Sequence, residues 1–98
     1  MQQDGSDLNV LEVKLNNFLQ KRQPPKTFCP SEVARALSAV DLESLDFGEW
    51  RDAMPAVREL AWGLKGRGEL EILQKGVVLG EDVQLEDVRG PIRIRRVV

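Results

Sequence analysis

The chain has 98 residues, 42% of them apolar and 31% charged, with a formal net charge of −2. That composition describes one small globular domain over residues 1–98, not a disordered or fibrous segment. It holds no apolar run near the ~18 residues a membrane span needs, and it has no histidine.

The first predicted element is an amphipathic helix over about residues 7–22. Leu8, Leu11, Leu15, Phe18 and Leu19 recur at three- and four-residue steps. Ser6 or Asp7 is suited to cap its first amides. Pro24 and Pro25 end it, because proline lacks the N–H donor and pushes its predecessor out of helical space. Lys21, Arg22 and Lys26 cluster at this stop. The opening "MQQDGSDLNV" lacks the basic start and apolar run of a signal peptide, and a single cysteine forms no internal disulfide. The expected location is therefore cytoplasmic.

Residues 27–29 read as short and extended, with Phe28 placed to pair at a sheet edge. A second helix starts at Pro30, where the missing N–H is not needed, and Glu32 suits the positive end of its dipole. Val33, Ala36, Leu37 and Val40 form its expected buried stripe. Residues 41–49 are a connector with room for a helical turn.

The third helix covers "WRDAMPAVRELAWGLK", residues 50–65. Trp50, Ala53, Met54, Val57, Leu60, Ala61 and Leu64 share one stripe. Pro55 lies six residues into it. In a helix interior it would cost about 3 kcal/mol, and in the first turn almost nothing. The sequence therefore predicts a short helical turn near 47–51, a kink at residues 52–54, and the helix proper over about 53–65. Gly66 is its stop.

From Glu69 the apolar period changes to two, and Leu70 and Ile72 mark a strand. Lys75–Gly76 marks a turn. Residues 77–90 carry Glu81, Asp82, Glu86 and Asp87. A second strand follows Pro91, with Ile92 and Ile94 alternating with Arg93 and Arg95. Two strands alone are unstable and must lie on the helices. The order of elements predicts an α+β fold, a winged helix. It has a three-helix core with a helix-turn-helix and a C-terminal β-hairpin whose wing is the loop at 75–90.

Four blocks, "CPSEVARAL" (29–37), "WRDAMPAVRELA" (50–61), "QKG" (74–76) and "RGPIRIR" (89–95), resemble a bacterial family of small proteins of unknown function. They occur in the family's order and span residues 29–95, leaving the first helix outside. The segment 77–88 is longer and more acidic than the family's short loop. The resemblance implies a winged-helix domain. It implies no activity, catalytic residue or cofactor.

With no histidine and only Cys29, the chain has no Cys/His zinc site and no Cys–His nucleophile pair. It has no glycine-rich phosphate loop and no nucleophile elbow. The expectation is a non-enzyme without cofactor, metal or small-molecule substrate. Two binding readings follow. In the first, a DNA-binding or regulatory module uses the third helix. Arg51, Arg58, Trp62 and Lys65 share one flank at 100° per residue, suited to phosphate contact and base stacking. Arg93 and Arg95 support it from the last strand, with Arg96 beside them. The plain alternative makes these a solvated helix edge and the outer face of a sheet, with Glu69 and Glu71 as cross-strand partners. In the second reading a protein partner, or a second copy, docks on the acidic loop 77–88 or the first helix. Cys29, at a helix start, is either a small apolar filler or an activated thiol.

Overall fold

The structure is a computed structural model that describes residues 4–97, with side chains from residue 10 onward. The first helix, α1 (Asp4–Lys21), starts earlier than predicted. The proposed caps Ser6 and Asp7 and the stripe residue Leu8 lie outside the described side chains. Leu11, Leu15 and Leu19 are buried on one face of α1, as their spacing requires.

The second helix, α2 (Pro30–Arg35), begins at the predicted proline. Glu32 reaches back, and its carboxylate accepts a bond from the Cys29 amide at 2.9 Å. The connector holds a further helix, α3 (Ala39–Ser44). Ser38 restarts the chain there. Its hydroxyl accepts from the Asp41 amide at 3.0 Å, while Asp41 accepts from the Ser38 amide at 2.9 Å. This reciprocal cap resets the helical phase. The predicted stripe fails at Ala36, where α2 has already ended, and at Val40, beyond the new cap. Val33 and Leu37 are buried, Ala36 is exposed, and Val40 is 73% exposed. Ala34, on the same turn as Val33, is fully buried instead.

A 3-10 turn over Trp50–Ala53 leads into α4 (Met54–Gly66), which has Pro55 in its first turn. Ala53 keeps a right-handed helical backbone between the two, so the chain passes from the 3-10 turn into α4 without an extended break. Ala53, Val57, Ala61 and Leu64 are buried.

The strands are β1 (Leu70–Gln74), β2 (Val77–Val78) and β3 (Arg93–Arg96), in the order β2-β1-β3, with both pairings antiparallel. Lys75 and Gly76 both take positive φ, 54° and 81°, the backbone of a tight two-residue hairpin turn. Phe28 pairs with Ile94 on the free side of β3 through bonds of 2.9 and 2.7 Å. The predicted two-stranded hairpin is thus a three-stranded sheet with Phe28 at its edge. The predicted wing is not a free loop. After β2, residues 79–92 fold back onto α4 through a 3-10 turn at Leu85–Asp87.

Leu70, Ile72, Ile92 and Ile94 join the buried faces of α1, α2 and α4 in one core cluster. The result is α+β, four helices and a three-stranded antiparallel sheet, an arrangement compatible with a winged helix. Among the described residues no helix is long and apolar enough to cross a membrane.

Candidate functional site

The flank of α4 is where the predicted contact residues were expected together. Two of them are tied to the return segment 79–92. The Trp62 indole donates to the Val83 carbonyl at 3.1 Å, and the Lys65 ammonium donates to the Gly80 carbonyl at 2.9 Å. Both side chains turn toward their own chain. Arg58 is half-buried and lines a hollow with Glu59, Glu86 and Arg89. Met54, Pro55, Leu85 and Val88 supply the apolar walls of that hollow.

Arg51 does not join this group. It lies in the 3-10 turn, where each residue advances about 120° instead of 100°, so a projection from α4 misplaces it. Its guanidinium packs over the Trp50 ring at 4.6 Å and pairs with Glu49 at 3.4 Å. Arg35 packs on the same ring at 4.6 Å. This Arg35–Trp50–Arg51 stack joins the end of α2 to the start of α4. The sequence offered no cue for Arg35, because its partner is fifteen residues away and on another element.

The last strand divides its arginines. Arg95 faces Glu71 in the ladder, and its Nε donates to Glu71 at 2.7 Å. That is the expected cross-strand pairing. Glu69 pairs instead with Arg67 at 3.4 Å. Arg93 faces Leu73 and finds no carboxylate across the ladder. It reaches the other way, donating to the Thr27 hydroxyl at 3.0 Å and the Thr27 carbonyl at 3.1 Å. Arg96 donates to the Gln23 side chain at 3.3 Å.

Around α4 the exposed charge is mixed, with acids in excess on the return segment, where Arg89 is the one exposed cation among the described residues 79–92. Glu59 lies on its open edge, and Glu81, Asp82, Glu86 and Asp87 are all exposed on the return segment, while Asp52, in the 3-10 turn, accepts from the Gly48 and Glu49 amides. The Glu32 carboxyl is held below the ordinary carboxylate range, first by the Cys29 amide and then by Arg22 and Arg93. Cys29 is half-buried, and its sulfur accepts from the Ser31 hydroxyl at 3.1 Å. Among the described residues no group of three or more His, Cys, Asp or Glu side chains is placed to hold a metal ion.

A family model described as "Protein of unknown function (DUF3253)" matches residues 9–97, and the chain belongs to that family. The match takes in α1 from residue 9 onward, which the four sequence blocks had left outside. No curated protein matches the chain.

Proposed function

We propose that this member of a family of unknown function is a winged-helix interaction module with no catalytic activity of its own. In this reading α2 and α4 form the helix-turn-helix, and the order Phe28, β3, β1, β2 is the winged-helix sheet. The module docks a protein segment on the face shared by α4, the return segment and the β2 edge.

One observation carries the reading. Trp62 and Lys65, two of the candidates for nucleic-acid contact, are held against their own chain: the indole gives its single donor to the Val83 carbonyl, and Lys65 gives one of its three to the Gly80 carbonyl. The carboxylates of the same segment stay exposed. A duplex brought to this face would meet Glu59 and four loop carboxylates, which outnumber Arg58 and Arg89 and repel its phosphates. A basic protein segment would be attracted by the same charges. The apolar walls of Met54, Pro55, Leu85 and Val88 offer seats for its aliphatic side chains. Val77 and Val78, 65% and 42% exposed on the edge strand, form a second apolar patch beyond the Gly80–Lys65 end of the return segment.

The test is a pair of titrations, one with a short peptide alternating lysine with leucine and one with mixed-sequence duplex DNA. The reading expects the peptide to bind and the double substitution Glu86→Gln, Asp87→Gln to weaken it. Duplex binding that is lost on Arg58→Gln and unaffected at the loop carboxylates would replace it with the DNA reading.

A further inference from the structure

A second surface lies away from α4. The fold brings a basic cluster, Lys21, Arg22 and Lys26 at and just after the end of α1, together with Arg93 at the start of β3, far away in sequence. The Phe28–Ile94 bridge sets Thr27 beside Arg93, and the two Arg93–Thr27 bonds lock that register. Arg22, Lys26, Thr27 and Arg93 then line one open hollow. A second hollow shares Arg22 and adds Lys14 and Lys21.

These cations are poorly compensated. Some basic side chains do meet acids: Arg95 meets Glu71, Arg67 meets Glu12 and Glu69, and Lys14, at the rim of the second hollow, meets Asp41. Among the described residues Lys21, Lys26 and Arg93 form no ion pair. Glu32 is the neighbouring acid, and Arg22 already takes it at 2.9 Å. Arg22 is further steadied over the Phe18 ring at 5.5 Å. Thr27 accepts from Arg93 and so keeps its own hydroxyl hydrogen to donate.

We infer that the surface of Lys21, Arg22, Lys26 and Arg93 binds the phosphodiester backbone of nucleic acid, without reading base sequence. The ligand chemistry follows from the arrangement. Four cations held together with one neighbouring carboxylate, Glu32, keep a net positive charge, and an anion relieves their repulsion. The cations are spread over two adjoining open hollows, not gathered in one enclosed pocket. That spacing suits a chain of phosphates better than a single small anion. The surface is separate from the α4 face, so a nucleic acid here and a protein segment there do not compete. Net charge −2 masks it, because the acids that outweigh these cations lie on other parts of the chain, five of them on α4 and the return segment.

The probe is a labelled single-stranded oligothymidylate followed by fluorescence anisotropy. Four phosphate contacts give a log–log salt slope near −3, or about twentyfold weaker binding from about 50 to about 150 mM salt. Lys21→Gln with Lys26→Gln leaves every described hydrogen bond of the fold in place, and it is expected to cut affinity at low salt by at least about tenfold and to flatten the slope by about 1.4. Arg58→Gln is expected to change nothing. Absence of binding at low salt would overturn the proposal. So would a lysine double variant that binds like the wild type, or an Arg58→Gln variant that loses binding. Inorganic phosphate binding in place of the oligonucleotide would assign a small anion and also overturn it. Peptide binding at α4 is read with a different probe, so either proposal can fail alone.

Discussion

The indole nitrogen of Trp62 donates to the carbonyl of Val83 across 3.1 Å, joining two residues 21 positions apart. This bond and the Lys65–Gly80 bond fasten the return segment along α4. What would be a free wing becomes a wall of the α4 hollow. Trp62→Phe keeps most of the ring and removes the donor. It leaves the Val83 carbonyl to water and is expected to cost about 1 kcal/mol. Hydrogen exchange should quicken at residues 80–88 and stay slow in β1 and β3. Unchanged exchange at 80–88 would mean the segment is held by other contacts.

Pro55 sits in the first turn of α4, where its missing amide has no helical acceptor to lose. Pro55→Ala is therefore expected to shift unfolding stability by no more than about 0.5 kcal/mol. Glu59→Pro, in the exposed interior of the same helix, should cost about 3 kcal/mol or more. Chemical denaturation of both variants measures the contrast.

Lys75 and Gly76 both carry positive φ in the β1–β2 turn. Lysine has no special tolerance for that backbone, whereas asparagine does. Lys75→Asn should stabilise by a few tenths of a kcal/mol, and Gly76→Ala should destabilise by about 1 kcal/mol. Melting of the two variants in opposite directions checks the turn type.

Glu32 is held ionised by the Cys29 amide, with Arg22 and Arg93 assisting. Its folded pKa lies below the unfolded value. Its contribution to stability is thus present above the ordinary glutamate pKa and lost as pH falls through the depressed one. Glu32→Gln should cost about half a kcal/mol near neutral pH, a modest figure because the pair is partly exposed. The gap to wild type should close in acid. A gap that persists at the lowest pH would place the effect in packing instead of charge.

Local signals carried far into this fold. The proline in the apolar stripe located the start of α4 to within a residue or so, because an interior proline is costly and a first-turn proline is not. Alternation of Glu71 and Arg95 across two strands foretold their pairing. Signals that depend on distant contacts were silent. Val40 continues a helical stripe in sequence, yet the Ser38–Asp41 cap resets the phase and exposes it. The two-residue strand β2 is too short to show a period. No local pattern says that residues 79–92 turn back onto α4, since that placement rests on Trp62 and Lys65 meeting backbone carbonyls. For the same reason the sequence grouped Arg93 with Arg95. Only the Phe28–Ile94 register brings Arg93 to Thr27 and the basic end of α1.

The face shared by α4 and the return segment is most directly tested by amide chemical-shift mapping during titration with the lysine–leucine peptide. The account predicts shifts concentrated at residues 54–59, 77–78 and 80–89, together with the Trp62 indole proton, and weaker binding as salt rises. Shifts confined to α1 and β3, or no shifts at any peptide concentration, would contradict it.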